Sequence, residues 1–513
     1  MTSAETTEDV TVPGRRDVGV VMATLALAVL LAALEQTVVA TALPTIAGEL
    51  GGLTSMSMIV TSYLVAAAVA TPIASKCGDL YGRRPVFLAA MTLFALGSLF
   101  GGLSQELWQL VGARALQGAG GGALMTLALA IVAEAVPTRY RARYQGFLGS
   151  VFGLASIVGP LVGGYITEYA SWRWIFFVNI PLCALIAAAS LATIPVGARR
   201  RGAHLDIAGI AVMTLMLVST LVTLDWGGSR YAWSSPVILG LAAVAVLSTA
   251  AFILVELRTA EPLVPLRLFR QRRFVAPLVV GGLMAMTLFI VVTYLSTFLQ
   301  YALRVEATEA GLLLVPFMMT VVVVSTAAGA LASRRDSYRM FPRLGTLLAA
   351  AGVLSLAFIP DDAPLAQVIV SVVVLGAGFG MTMQLIVLAA QDAVPKADLG
   401  VGTGLVMLAR SFGAVLGVAI WGTLFAALYT QSAATVQGLP DASAITPEAL
   451  AAMPAGTAHA TAAAISDSLR TVFQWAAVPA AIAVVAAFGI TESRRSADAK
   501  APHEDLSSPS PHE

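Results

Sequence analysis

Apolar segments about 20 residues long recur along the whole chain, and nothing else in the sequence restricts its fold so strongly. A helix crossing the hydrocarbon of a bilayer needs roughly 20 apolar residues, and fourteen stretches qualify: 18–43, 56–75, 85–104, 107–136, 144–168, 174–195, 205–224, 236–256, 274–299, 308–332, 343–360, 364–392, 399–428 and 468–490. Only 12% of the 513 residues are charged, and mean hydropathy is +0.85. A soluble domain carries about twice that share of charge. In lipid only helices and closed barrels satisfy every backbone polar group, and segments this long select helices. The expected class is therefore an all-α integral membrane protein with 14 transmembrane helices.

Basic residues fall on one side of this layout. Of 30 Lys and Arg, all but Arg114, Arg173, Arg230, Arg304, Arg410 and Arg470 lie at the termini or in alternate connections. The positive-inside rule then puts both termini in the cytoplasm, as expected of a multi-pass protein of the cell membrane. The first apolar run lacks a small-residue cleavage site and is expected to be retained. The net charge of +1 gives nucleic acid no basic surface to bind. Cys77 and Cys183, the only cysteines, are not expected to form a disulfide. No cofactor and no metal are expected.

One segment occurs twice. RALQGAGGGALMTLALAIVAEAVP (114–137) and VVVLGAGFGMTMQLIVLAAQDAVP (372–395) are identical at nine of 24 positions. They pair span 4 with span 12, so spans 1–6 should correspond to spans 9–14, with 7 and 8 inserted. The stretches 72–87 and 327–342 share small residues and an arginine cluster, which supports the same pairing. The expected division is a tail at 1–17, a six-helix bundle at 18–198, an inserted pair at 199–257, a second bundle at 258–492 and a disordered tail at 493–513. The long connection at about 429–467 is expected to be partly disordered and to carry no chemistry. Parallel six-helix repeats are a mark of secondary transporters, whose substrate site lies between the halves.

Charges inside spans carry the functional weight, because a charge at depth is costly and suggests function by default. Glu35 and Arg114 lie at similar depth and are candidates for a pair. Burial opposes ionisation of the carboxyl and Arg114 favours it. An arginine does not release its proton under physiological conditions, so Glu35 is the titrating candidate. A structural ion pair is the bland alternative. Arg410 lies at mid-depth without an acid in its half. It could bond carbonyls, meet Glu35 or touch an anionic group of a substrate. Gln36, Tyr63, Gln117, Tyr294, Gln300, Met383 and Gln384 join it as candidates to line a substrate cavity. No histidine is expected inside a span.

Several motifs together resemble the major facilitator superfamily, over nearly the whole chain. Ser75-Lys-Cys-Gly-Asp-Leu-Tyr-Gly-Arg-Arg84 is similar to its helix 2–3 loop signature, and Leu110–Gly118 to its helix 4 motif with a buried arginine. Ala155–Gly164 resembles its helix 5 antiporter motif. Leu34–Pro44 and Trp172–Pro181 resemble segments of its fourteen-helix drug/proton antiporter branch. Three residues depart from those patterns: Ser75 replaces a glycine, Leu80 an arginine, and Glu35 the branch's usual aspartate. The resemblance implies two six-helix bundles with two peripheral helices. It also implies a conformational latch of Asp79, Arg83, Arg84 and Glu134, with Arg83 against Glu134 and Asp79 near the start of helix 13. In helix 5, Gly159-Pro160 permits a kink and Gly163 and Gly164 permit close helix approach.

The implied function is proton-coupled export of amphipathic small molecules, drugs or antibiotics, by alternating access. An exporter or facilitator of an endogenous lipid or metabolite shares every motif. An ATP-driven permease is disfavoured, since none of the three lysines starts a G-K-[ST] phosphate loop; no ATPase subunit is expected. A polytopic membrane enzyme would need a histidine, acidic or metal cluster at the membrane surface, and none is evident.

Overall fold

Long apolar runs become helices because every N–H and C=O then finds its partner within the segment. The computed structural model describes residues 15–50, 56–195, 206–228, 230–259, 261–301, 312–335, 337–360, 363–435 and 453–491. The helices are α1 (Arg15–Leu50), α2 (Met56–Tyr81), α3 (Arg83–Leu103), α4 (Leu107–Ala135), α5 (Thr138–Tyr169), α6 (Arg173–Thr193), α7 (Ile207–Trp226) and α8 (Pro236–Arg258). They continue with α9 (Arg272–Tyr301), α10 (Val315–Arg335), α11 (Met340–Ala357), α12 (Leu365–Ala393), α13 (Leu399–Thr435) and α14 (Ala455–Ala487). Helix α6 is interrupted at Val178, and α12 at Met383–Gln384. Thirteen of these meet the length and composition needed to cross a membrane, and α9, 30 residues long, occupies the remaining place in the series. The fold is all-α.

Three expectations about boundaries are corrected. Arg139, Arg141 and Arg143 lie on the first turns of α5, which starts at Thr138; its N-cap position is Pro137, whose backbone cannot continue a helix from its N-terminal side. The connection expected at 429–467 is helical at both ends, as α13 reaches Thr435 and α14 begins at Ala455. Alanine-rich sequence favours helix, and Thr461, Ala462, Ile465 and Leu469 are buried along it. His459 consequently lies on an apolar helix, exposed near its start, where no span was expected. The polar segments 1–14 and 492–513 lie outside the described residues.

Helix pairings repeat across the chain. Helices α1 with α5, α2 with α4, α3 with α4 and α3 with α6 each pack closely. Advanced by eight helices, the pairs are α9 with α13, α10 with α12, α11 with α12 and α11 with α14, and each of these also packs closely. Glycines explain why the repeated segment was retained. A Cβ on Gly118 would meet Tyr63 backbone on α2, one on Gly120 would meet Phe94 and Ala90 on α3, and one on Gly122 would meet Ala67 on α2. The counterparts Gly376, Gly378 and Gly380 face Phe317 on α10, Ala349 on α11 and Ser325 on α10. Without side chains there, the backbones approach closely.

Two seams join the repeats, α5 against α10 and α2 against α13. Helix α7 packs on both α2 and α13, and α8 packs on α7. Asp206 caps α7 by accepting from Gly209 N at 2.7 Å, and Ser235 caps α8 by accepting from Ile238 N at 3.3 Å.

Candidate functional site

The polar centre of the first six helices lies where α1, α3, α4 and α6 meet. Glu35 and Arg114 are 2% and 3% exposed. Arg114 Nη1 donates to Glu35 Oε1 at 2.8 Å and to Gln117 Oε1 at 2.6 Å. The second carboxylate oxygen of Glu35 accepts from Asn179 Nδ2 at 2.5 Å, and Gln117 Nε2 donates to Ser98 Oγ at 2.8 Å. Tyr63 lies with its ring 4.4 Å below the guanidinium, a cation–π contact. The Arg114 Nε has no partner among the described residues. Geometry dictates the composition. Arg114 and Gln117 are three residues apart on α4 and share a face, while Gly97 on α3 leaves room for the Gln117 backbone.

Sequence reasoning named Glu35 and Arg114 as a pair and Gln117 and Tyr63 as candidates to line a substrate cavity. Here both are buried in the charged cluster. Asn179 and Ser98 were missed. Asn179 sits inside the quoted Trp172–Pro181 motif, and an amide within an apolar helix was the available signal.

A second cluster lies at the end of the molecule that bears the arginine-rich connections, the basic end. Arg83 Nε donates to Glu134 Oε1 at 2.8 Å, its Nη1 donates to Ser75 O at 3.3 Å, and its Nη2 bonds the Asp79 carboxylate. Asp79 also accepts from the backbone N–H groups of Gly400 and Val401, at 3.2 and 3.1 Å, at the first turn of α13. A carboxylate is favoured there because those N–H groups have no helical acceptor. Arg84 is half-buried on α3 and makes no bond among the described residues. Ser75, the departure from glycine, is fully buried opposite Gly404 of α13, so a glycine across the seam makes space for its side chain. Leu80, the other departure in that motif, is fully buried.

The same end holds a knot that the sequence did not disclose. Gln145 on α5 donates to Gln391 on α12 at 2.6 Å, and Gln391 donates to Thr403 Oγ1 on α13 at 2.9 Å and to Leu129 O on α4 at 3.3 Å. Nearby, Ser333 on α10 donates to the Arg139 carbonyl at 2.5 Å and Ser325 to the Gly146 carbonyl at 3.1 Å.

In α5, Gly159 and Gly163 face Thr37, Thr41 and Val38 of α1. Gly164 has open space beside it, so close approach belongs to Gly159 and Gly163 and not to Gly164. Pro160 is exposed within the helix.

The second six helices contribute less polarity. Arg410 is half-buried on α13, with Met407 Sδ at 3.8 Å and no acid partner among the described residues. Tyr294 stacks obliquely on Phe425 with centroids 5.8 Å apart. Met383 is buried, and Gln384 lies against Gly149 of α5 with an unpartnered Oε1. Gln36 is half-buried beside Glu35, and the Gln300 side chain lies outside the described residues. A cavity of about 710 Å³ lies elsewhere, between α7 and the α2–α4 face, from Trp108 and Trp226 down to Cys77 and Val86. None of the eight residues named for a cavity lines it.

The sequence matches the model of the Major Facilitator Superfamily over residues 25–418. Among curated relatives, the multidrug transporter MdtP of Bacillus subtilis is 34% identical over 78% of this chain and 74% of its own. Multidrug resistance protein 3 of the same organism is 32% identical, with 79% of each chain covered. An uncharacterised MFS-type transporter of Mycobacterium tuberculosis is 37% identical over 90% of this chain and 67% of that one. Among solved structures, the proton:xylose symporter XylE superposes with a TM-score of 0.58 at 14% identity, covering 90% of this chain and 95% of that one, a likeness of fold. The human organic anion transporter MFSD10 does so at 0.59 and 14%, covering 91% and 100%. A multi-pass helical chain with paired six-helix repeats, a buried ion pair and this family match is a transporter and not an enzyme, and it belongs to the Major Facilitator Superfamily.

Proposed function

We propose that the chain exports amphipathic small molecules across the cell membrane in exchange for protons, with the basic end and both termini in the cytoplasm. The observation that carries this reading is the Glu35–Arg114 pair, sealed among Asn179, Gln117 and Tyr63 inside the first repeat. Protonation of Glu35 removes the anion that Arg114 faces and leaves the cation with the Gln117 carbonyl oxygen and an aromatic face. That change in charge balance is large in a low-dielectric interior. It gives a bound proton leverage over which end of the molecule opens.

Further support comes from the direction of closure. Asp79 and the Gln145–Gln391 knot tie the repeats together at the basic end, and Arg83, held by Glu134 within the first repeat, pairs with Asp79 there. In this reading they form the conformational latch of a state open to the opposite side. The division follows the same logic. Residues 18–198 and 258–492 act as two rocking bundles, and 199–257 is an inserted pair that packs on the α2–α13 seam. Arg410, Tyr294, Met383 and Gln384 shape the substrate path of the second bundle, whose position 372 carries Val in place of Arg.

The named efflux relatives favour drugs as cargo. A relative named as the transporter of the acurin A biosynthesis cluster, 31% identical, keeps an endogenous metabolite as a second reading. Dye or drug efflux in everted vesicles, with and without an imposed pH gradient, separates the alternatives. Wild-type protein should respond to the gradient, and Glu35→Gln should lose that response while still folding. Gradient-driven efflux by Glu35→Gln at the wild-type rate would remove Glu35 from the coupling role.

A further inference from the structure

We propose that a cavity at the basic end, between α1, α5 and α10, holds the headgroup of an anionic phospholipid. It measures about 580 Å³ and is lined on its polar side by Arg139, Arg143 and Arg334, with Tyr144 beside them. Met22 and Phe147 line its apolar side. The three arginines form no ion pair among the described residues.

Position selects the occupant. Gly19, Arg139 and Arg335 mark the ends of the membrane-crossing stretches of α1, α5 and α10. The cavity therefore sits in the headgroup layer, with arginines at the water side and Met22 and Phe147 one or more turns deeper. Basic pockets between membrane helices suit anionic headgroups, and each basic residue near the surface contributes measurably to that preference. Fork-shaped guanidinium groups also match phosphate better than an ammonium does.

Comparison of the seams supplies an independent reason. Where α2 meets the start of α13, Asp79 of the protein accepts from two backbone N–H groups and bonds Arg83. At the corresponding seam, where α10 meets the start of α5, the bridging residue is Ser333, which donates to the Arg139 carbonyl. Among the described residues no carboxylate accepts at that seam, and three cations gather there instead. A lipid phosphate supplies the missing anion.

The test uses full-length protein equilibrated in detergent with equal amounts of phosphatidylglycerol and phosphatidylcholine, followed by native mass spectrometry of the retained lipid. Wild type should retain phosphatidylglycerol preferentially. Arg143→Gln with Arg334→Gln should lower that preference roughly thirtyfold, as expected from neutralising two surface cations, while retained phosphatidylcholine is unchanged. Arg143→Lys with Arg334→Lys should keep most of it, and Arg272→Gln with Arg273→Gln, outside the cavity, should keep all of it. If the double glutamine variant does not fold, Arg143→Gln alone should lose about fivefold. An unchanged preference, or an equal loss in the α9 variant, would overturn the proposal. So would displacement of the lipid by millimolar inorganic phosphate, which would make this a site for the free anion. Preference appearing only after deletion of residues 2–14 would likewise overturn it, assigning the cavity to the acids of that segment.

Discussion

Arg114 has three partners of different kinds: the Glu35 carboxylate, the Gln117 amide oxygen and the Tyr63 ring face. Burial makes the first of these decisive. Removing one member of a buried ion pair typically costs about 3–5 kcal/mol, because the remaining charge is left uncompensated, whereas replacing both by apolar groups is often close to neutral. Arg114→Leu should therefore lower the thermal unfolding midpoint in detergent strongly, and Glu35→Leu with Arg114→Leu should recover much of the loss. Additive losses in the double variant would mean that the two side chains do not interact energetically. A second carboxylate behaves differently because it is exposed. At the opposite end, Glu49 accepts from Trp172 Nε1 at 2.9 Å and from Arg173 Nη1 at 3.1 Å. The Trp172 hydrogen bond, with help from Arg173, holds its pKa below the ordinary 4.5. Its contribution is present above that ordinary value and is lost as pH falls through the lowered folded value. The effect is small at an exposed site. Trp172 fluorescence should change across that acidic window in wild type and not in Glu49→Gln. Depth alone made Glu35 and Arg114 readable in the sequence. Asn179 and Ser98 were not readable, since their role depends on α3 and α6 converging on one carboxylate, which no local pattern encodes.

Helices in this protein are placed mostly by what their glycines omit. Gly118, Gly120 and Gly122 alternate between contact with α2 and contact with α3, and Gly376, Gly378 and Gly380 do the same with α10 and α11. This is why the duplicated segment encodes the helix pairing: the constraint is local in sequence and tertiary in effect. Gly122→Val should be strongly destabilising, because its side chain would meet the Ala67 backbone, which cannot give way. Gly380→Val should cost less, because Ser325 and Val321 lie 3.0 Å from the added Cβ and need give only a few tenths of an ångström. Gly112, also on α4, has open space beside it, so Gly112→Ala should be neutral or stabilise by up to about 1 kcal/mol through helix propensity. Unfolding midpoints of the three variants check this, and equal effects at Gly112 and Gly122 would contradict the packing account. Helix ends were less legible than helix cores. The polarity of Arg139–Arg143 read as a connection, yet those turns are helical because the arginines sit at the membrane boundary, where a charged helix surface meets water and headgroups.

Across the whole molecule, the hydrogen bonds that join the two repeats are concentrated at the basic end, and this asymmetry makes a directional prediction. If the repeats rock as rigid bodies, loosening the basic end must open it and close the opposite end together. Asp79→Asn loosens it selectively: the amide keeps an oxygen for the Gly400 and Val401 N–H groups but loses the charge that favours a helix N-terminus and pairs with Arg83. That preference is worth about 0.3–1 kcal/mol, which shifts a two-state population by roughly two- to fivefold. Two thiol reporters read the shift in a background lacking Cys77 and Cys183. Ala390→Cys occupies a position that is buried at the basic end, and Tyr294→Cys lies on α9 some 22 residues beyond its basic-end start at Arg272. A water-soluble maleimide should label Ala390→Cys about two- to fivefold faster when Asp79→Asn is added, and label Tyr294→Cys correspondingly more slowly. The opposed signs are the decisive result. Faster labelling at both positions would indicate local unfolding of the seam, and unchanged labelling at Tyr294→Cys would show that the two ends open independently; either outcome excludes rigid alternating access.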